Sequence, residues 1–180
     1  FWMSDSSQLN VGEAIRGGDP DCGWWFSTGI DNNQEPMHGP FRLNAWELTF
    51  ARSLGQSTSL VHQLLSTPQT EQHGHKFKAV SSLVLTPNSL KIASTTINTG
   101  TLPMVAERMR HPYFRSSGRN RAYILGLENI PYTDNVVGTN CAAFNGPLIL
   151  VGNHQINNIY KGVPNAECVL VDSGFARKIR

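Results

Sequence analysis

A single carboxylate, Glu167, stands at the head of the apolar run "CVLV" near the end of the chain. Four apolar residues in succession predict a buried strand. An acid at the start of such a strand has two interpretations. In the first, the carboxylate is exposed to solvent at the end of the strand; in the second, the strand positions it in a cleft, where it can act on a ligand. The second interpretation makes Glu167 the first candidate catalytic residue.

The spacing of histidines and cysteines does not predict a metal site. His73 and His75 in "EQHGHKF" are two residues apart, which suits one exposed loop or the two faces of a strand, and no further Cys or His pair completes a zinc set. The chain also lacks a phosphate-binding loop, a GxSxG turn and a Rossmann-type dinucleotide fingerprint. We therefore predict that no metal is bound.

The composition predicts one globular domain spanning residues 1–180. The chain is 39% hydrophobic and 16% charged, and Ser, Thr and Asn fill much of the polar surface, which favours strands and loops over charged helices. A net charge of +2 is too small to indicate nucleic acid as a partner. No stretch has the apolar length of a membrane span.

The compartment is not fixed by the sequence. Three cysteines, Cys22, Cys141 and Cys168, permit at most one internal disulfide. The chain opens with "FWMSD" rather than with an initiator methionine. We therefore expect a fragment of a longer polypeptide whose targeting information is missing.

The first half of the chain has helical patterning. The apolar residues of "LNAWELTFARSLG" recur at three- and four-residue steps before Gly55: Leu43, Trp46, Phe50 and Leu54. This pattern predicts an amphipathic helix. We predict a second helix in "STSLVHQLLS" and a shorter one in "SDSSQLNVGEAI", and a further short helix, "TLPMVAERMRHPYF", between two strands of the second half.

The second half changes character to short β-rich runs between Gly, Pro and Asn. These runs are "HKFKAVSSLVL", "SLKIAST", "RAYILGLENI", "GPLILVGN" and "ECVLV". Helices early and strands late predict an α+β domain, with the helices packed on a mixed or antiparallel sheet. The apolar segments "YILGL" and "CVLV" are expected to be its central, buried strands.

Three segments, in order, resemble the ADP-ribosyltransferase superfamily. "FWMSDSSQLNVGEAIRGG" is similar to its first strand and helix, with Leu9, Gly12, Glu13 and Ile15 in the expected places. "WWFSTG" with the following "AWELTFARSL" resembles the strand and helix that wall the NAD cleft. "NAECVLVDSGFARKI" resembles the closing strand, which carries the catalytic acid.

The resemblance implies a toxin- or effector-like mono-ADP-ribosyltransferase or NAD glycohydrolase, with NAD as substrate. Glu167 would then bind the ribose 2′-hydroxyl and stabilise positive charge as the nicotinamide bond breaks. A protein target, and secretion or delivery into a host cell, would follow.

The same resemblance implies a set of NAD-binding residues. Ser27 and Thr28 would brace the ribose or the acid, and the "ASTT" segment with Ser94 and Thr95 offers an alternative serine motif. The tryptophans Trp24, Trp25 and Trp46 either form a nicotinamide-stacking wall or pack in the core. Two departures stand out: Met3 replaces the family's NAD-gripping Arg or His, leaving Arg16 as the nearest base, and Asn165 replaces a second acid.

Two other classes of function stay open. "DPDCGWW" and "GNHQINNIY" resemble segments of papain-like and ovarian-tumour-type cysteine hydrolases. That resemblance implies a Cys22 nucleophile, a His154 base and Asn157 or Asn158 to orient the imidazole. Met3, at the position where the transferase family has an NAD-binding Arg or His, instead favours a non-catalytic interaction module with a degenerate transferase-like fold.

Overall fold

The computed structural model describes residues 1–8, 10–13, 15–25, 27–28, 36–149, 156–160 and 167–180. The chain divides into two compact units, Phe1–Phe114 and Arg115–Arg180. The single-domain organisation of the chain stays a prediction.

Strands make up most of the regular secondary structure of the described residues. The strands are β1 Asp21–Trp24, β2 Glu47–Leu54, β3 Ser57–Leu65, β4 Phe77–Thr86, β5 Ser89–Asn98, β6 Glu107–Arg110, β7 Ala122–Leu125, β8 Tyr132–Asp134, β9 Thr139–Cys141, β10 Leu148–Ile149, β11 Asn158–Tyr160, β12 Val169–Asp172 and β13 Arg177–Ile179. The α-helix is one turn, α1 Pro68–Glu71, and 3-10 turns occupy Phe41–Leu43, Arg119–Arg121 and Ser173–Phe175. The α+β prediction is therefore wrong.

Helical elements are few and short in the part of the chain that the structure describes. Helix α1 starts with Thr67 as its N-cap and Pro68 in its first turn, where the missing N–H of proline is harmless. No helix among these residues is both long and apolar enough to cross a membrane.

The first unit contains an antiparallel meander in the order β2-β3-β4-β5 and a separate antiparallel pair, β1 with β6. Strands β2 and β3 are joined by a two-residue turn, because Leu54 pairs with Ser57. Gly55 opens that turn with a φ of 57°, a backbone conformation that glycine adopts without strain. The glycine predicted to stop a helix therefore closes a hairpin.

None of the predicted helices is present among the described residues. "LNAWELTFARSLG" forms β2, "STSLVHQLLS" forms β3, and "TLPMVAERMRHPYF" contains β6. The described residues of "SDSSQLNVGEAI" form turns and irregular backbone, and Leu9 and Ala14 lie outside the described residues. Pairing between strands satisfies the backbone of these segments and overrides their local helical spacing.

The core of the first unit is aromatic. Trp24, Trp25, Phe41 and Phe77 pack together with Leu64 and Ala79, and Trp46 and Met104 pack against this cluster. Trp24 meets Phe77 edge-on at 5.0 Å between ring centroids. Trp24 and Trp25 are therefore core residues, the second of the two interpretations above.

The second unit contains two antiparallel sheets, in the orders β10-β7-β12-β13 and β11-β8-β9. Strands β7 and β12, which carry "YIL" and "VLV", are the central pair of the first of these sheets, as predicted. Their side chains are mostly half-buried rather than fully buried, and Ala122, Val171 and Asp172 are the buried ones.

Asp172 ties the end of β12 to the loop before β7. Its carboxylate accepts hydrogen bonds from the Ser117 hydroxyl, from the Ser117 backbone N–H at 2.9 Å and from the Phe175 N–H at 3.3 Å. Burial alone would raise the pKa of Asp172. The hydrogen bonds from Ser117 and Phe175, with the charge of Arg177, outweigh burial and hold that pKa below its ordinary value of 3.8.

Candidate active site

His38 is held in a strained backbone conformation in the first unit. Its φ is 66°, in the left-handed region that residues other than glycine rarely occupy. The His38 N–H donates to the Ser27 carbonyl at 2.6 Å, and the His38 carbonyl accepts from the Gly23 N–H at 3.1 Å. Strain of this kind, held in place by neighbouring backbone, concentrates at functional sites.

Gly39 allows this segment to lie against β1. Its φ is 73°, and a Cβ added there would fall on the carbonyl group of Gly23. Only glycine fits such a close approach of two backbones. The pair His38–Gly39 is therefore fixed by the strand beside it.

The imidazole of His38 is locked in one tautomer. The backbone N–H of Ser27 donates to His38 Nδ1 at 3.0 Å, so Nδ1 acts as an acceptor. A neutral imidazole has one donor and one acceptor nitrogen, which places the proton of His38 on Nε2. Burial lowers the pKa of His38 below 6.5, and the charges of Arg42 and His111 lower it further. His38 is therefore a neutral hydrogen-bond donor at physiological pH.

A second imidazole, His111, lies within range of the charge of His38. It directly follows β6, and its N–H donates to the Pro20 carbonyl at 3.1 Å. Its ring stacks on Tyr113, with 4.7 Å between centroids and 23° between planes. His38 and His111 are both half-buried.

Arg42 completes this group from the 3-10 turn Phe41–Leu43. Its Nη2 donates to the Met37 carbonyl at 3.1 Å. Its Nε is buried and has no hydrogen-bond partner among the described residues. The guanidinium thus adds positive charge beside His38 and keeps that imidazole neutral.

A buried ion cluster joins β1 to β6 in the same unit. Asp21 accepts from Arg108 at 2.5 and 2.9 Å and from Arg110 at 2.8 Å. Arg110 also pairs with Asp19 at 2.6 Å. These contacts compensate the negative charge of Asp21 with two arginines. The role of Asp21 is therefore structural.

The residues predicted to bind NAD all lie in the first unit, but their contacts differ. Trp25 lies in the core and donates its Nε1–H to Pro36 at 3.0 Å, while Ser27 contributes its backbone, not its hydroxyl, to His38. Thr28 is half-buried beside Ser27, and Arg16 is exposed.

The alternative serine motif lies on β5. The Ser94 hydroxyl donates to Asp21 Oδ2 at 3.4 Å, and Thr95 is exposed. Neither residue is placed beside His38 by any contact of the described chain.

Glu167, the predicted catalytic acid, belongs to the second unit. Its side chain is 62% exposed and pairs with Arg180 at 3.1 Å. Glu167 is therefore exposed to solvent just before β12, as in the first of the two interpretations given for this acid.

The cysteine hydrolase prediction is wrong. Cys22 is 1% exposed within β1, and burial raises the pKa of its thiol, which opposes formation of a thiolate nucleophile. The proposed base, His154, lies outside the described residues, while Asn158 begins β11 and Asn157 directly precedes it. Cys22, Cys141 and Cys168 are all free thiols.

The sequence matches the family model of aldose 1-epimerase over residues 2–180, and the chain belongs to that family. Among curated proteins, no sequence matches it significantly. The family model covers the whole of the fold and the site described above.

Three crystal structures share the fold. YeaD of Salmonella typhimurium, a proposed mutarotase, has a TM-score of 0.84 at 21% identity, covering 98% of this chain and 57% of that one. HI1317 has a TM-score of 0.75 at 24% identity, covering 98% and 58%. Slr1438 of Synechocystis sp. PCC 6803 has a TM-score of 0.82 at 19% identity, covering 95% and 61%. The chain thus spans about three-fifths of the length of these proteins.

Membership of this family overturns the identification as an ADP-ribosyltransferase. The prediction of NAD as substrate is wrong with it, as are the toxin-like activity and the non-catalytic module. A protein target, secretion and delivery into a host cell followed from that identification and lose their basis.

Sequence reasoning missed His38 and His111. They lie in segments predicted as a polar loop and as a helix. A signal for these two residues is present in "MHGP" and "RHPYF". The first histidine is followed by glycine, which frees the backbone, and the second by proline, which restricts it. Aromatic residues lie close to both.

Proposed function

We propose that this protein interconverts the α and β anomers of an aldose, with His38 as the hydrogen-bond donor to the ring oxygen. The observation that carries the proposal is the hydrogen bond from the Ser27 N–H to His38 Nδ1, which fixes a donor Nε2–H. The family supports the reaction class, because an aldose 1-epimerase inverts the configuration at carbon 1.

The reaction needs only proton transfers. A proton leaves the 1-hydroxyl, the bond between carbon 1 and the ring oxygen breaks, and the ring oxygen takes up a proton. The open-chain aldehyde then turns its carbon 1 and closes again on the opposite face. Water supplies the proton that the ring oxygen takes up, and a hydrogen-bond donor aimed at that oxygen stabilises its developing negative charge, which is worth roughly 10²- to 10³-fold in rate.

His38 suits the role of hydrogen-bond donor to the ring oxygen because its ring proton lies on Nε2, the nitrogen that Ser27 does not engage. The lone pair of Nδ1 is occupied by Ser27, so His38 cannot remove the proton of the 1-hydroxyl. Asp21 is also excluded as that base, because two arginines bind its carboxylate. We place His111 in the same proton-transfer site, as the second imidazole within range of the charge of His38.

Arg42 supports this role electrostatically. A charge beside His38 disfavours the imidazolium, and Arg42 is the largest charged contribution to the lowered pKa of His38. The neutral imidazole therefore persists below the pH at which a free histidine would protonate. A hydrogen bond from a neutral Nε2–H strengthens as negative charge develops on the ring oxygen.

The experiment is to dissolve α-D-glucose, α-D-galactose or another crystalline anomer and follow its optical rotation with and without protein. We expect faster relaxation with the wild-type protein, and a loss of roughly 10²-fold or more in His38→Asn. His75→Asn, a half-buried histidine of the loop after α1, is the matched control and should match wild type. Equal rates for wild type and His38→Asn would remove His38 from the reaction.

A further inference from the structure

The outer edge of β2 has no partner strand among the described residues. Strand β2 is the first strand of the meander β2-β3-β4-β5 and pairs with β3 on its inner side. All of its residues are exposed, and three of them are large and apolar: Leu48, Phe50 and Leu54. An open strand edge carries a row of free N–H and C=O groups, which can pair with a strand of another chain.

The other outer strand of the meander, β5, differs from β2. The Ser94 hydroxyl donates to Asp21 at 3.4 Å, and the Thr96 hydroxyl accepts from Arg108 at 3.2 Å, so β5 is tied to the buried ion cluster. Lys91 is the only charged residue of β5, whereas β2 carries both an acid and a base. Of these two edges, β2 is therefore the one that offers complementary charges to a copy of itself.

Glu47 and Arg52 point to the same face of β2. Their partners on β3, Gln63 and Ser59, are four positions apart (63 minus 59) and therefore share a face. The register shift in the middle of β2 produces this arrangement, because residues five positions apart (52 minus 47) in an unbroken strand point to opposite faces. The Glu47 carboxylate accepts from the Gln63 amide at 2.6 Å. Arg52 forms no ion pair with any described residue, so its charge is available to a partner.

Antiparallel pairing of β2 with β2 of a second copy brings these opposite charges together. We centre the two strands on the peptide bond between Thr49 and Phe50. Glu47 lies two positions before Thr49, and Arg52 lies two positions after Phe50, so Glu47 of each copy lies opposite Arg52 of the other. Opposite charges directly across an antiparallel pair stabilise it, and a two-fold axis forms each contact twice.

We propose that β2 is a dimer interface, at which two copies of this chain join their meanders into one continuous antiparallel sheet. The open edge supplies the backbone hydrogen bonds, and the exposed apolar side chains of both strands contact across the interface. The pairs between Glu47 and Arg52 fix the direction and the register, because an in-register parallel arrangement would set like charges opposite each other. This interface goes beyond the proposed anomer interconversion and does not depend on it.

Sedimentation velocity from about 1 μM to about 1 mM protein tests the interface, and the wild-type protein should shift from monomer to dimer over that range. Arg52→Glu and Glu47→Arg each set like charges opposite each other at both ends of the paired strands. We expect either change to raise the dimer dissociation constant about tenfold or more. The double variant Glu47→Arg with Arg52→Glu restores opposite charges and should dimerise within about threefold of wild type.

Lys91→Glu is the matched control, because it makes the same change of net charge on exposed β5 and should dimerise as wild type does. Circular dichroism checks that each variant is folded, and recovery in the double variant excludes a folding defect as the cause of the single-variant losses. His38→Asn should dimerise normally even where anomer interconversion is lost, so the two proposals fail separately. A wild-type protein that stays monomeric at about 1 mM, no recovery in the double variant, or equal weakening by Lys91→Glu would each overturn the proposal.

Discussion

Asp21→Ala should destabilise the first unit strongly, because it removes the centre of a buried ion cluster. The Asp21 side chain is 8% exposed, and its partners Arg108 and Arg110 are 13% and 27% exposed. Breaking a buried pair by removing one partner costs about 3–5 kcal/mol, since the other charge is left uncompensated. Arg110 keeps Asp19, whereas the guanidinium of Arg108 loses its only carboxylate partner among the ion pairs of the described residues. We therefore expect a loss near the lower end, about 3 kcal/mol.

The assay is urea unfolding followed by tryptophan fluorescence. All four tryptophans (Trp2, Trp24, Trp25 and Trp46) lie in the first unit, so the signal reports the unit that carries Asp21. Lys76→Ala is the matched control in the same unit, since its pair with Glu71 spans 3.7 Å and Lys76 is 63% exposed. An exposed pair is worth under about 1 kcal/mol. Similar free energies of unfolding for the two variants would refute the structural role given to the Asp21 cluster.

Three further outcomes follow from the structure. Gly39→Ala should lower the free energy of unfolding by clearly more than Gly55→Ala does. Both glycines have positive φ, but only a Cβ at position 39 would meet backbone atoms. Urea unfolding of the two variants checks this prediction, and equal losses of stability would contradict it. Because the pKa of Asp172 is lower in the folded state than its ordinary 3.8, its stabilisation is fully present above that pH and is lost as pH falls through the folded-state pKa. Urea midpoints measured across the acid range should therefore fall less steeply in Asp172→Asn, and an unchanged slope would count against it. A thiol-directed maleimide should label exposed Cys168 in the native protein and reach buried Cys22 only after unfolding, as peptide mass mapping would show, whereas native labelling of Cys22 would contradict its burial.

The strands of the second half could be predicted from sequence because their signals are local. Runs such as "SSLVL" and "CVLV" are short, apolar or β-branched, and bounded by turn residues, and each lies within a strand or next to its start. Their pairing partners could not be predicted, since β7 and β12 are more than forty residues apart in the chain (about 47 positions) and no local pattern selects one strand over another.

The helical prediction for the first half fails because the same apolar residues fit both the helical and the strand periodicity. Trp46, Phe50 and Leu54 are spaced by four, as on a helix, but with Leu48 they also alternate with Glu47, Thr49 and Ser53. Alternation of period two is the pattern of a strand. The strand periodicity prevails because the turn at Gly55 brings β3 beside this segment, and the two strands then pair.

The candidate site could not be predicted because its parts are distant in sequence and partly made of backbone. Ser27 acts through its N–H and carbonyl, which no side-chain motif reveals. His38 and His111 lie 73 positions apart (111 minus 38) and meet electrostatically only because β1 pairs with β6. An acid at the head of an apolar strand is a visible pattern and therefore points to Glu167, although that side chain is exposed to solvent.

The most direct test of the central proposal is the rate of anomer exchange measured by magnetisation-transfer NMR on an equilibrated aldose. Wild-type protein should exchange magnetisation between the two anomeric protons, and His38→Asn should reduce that rate by roughly 10²-fold or more. Nitrogen-15 shifts of the His38 ring in the same sample should show protonation on Nε2. Wild-type exchange no faster than in buffer, or full exchange in the folded His38→Asn variant, would contradict the assignment.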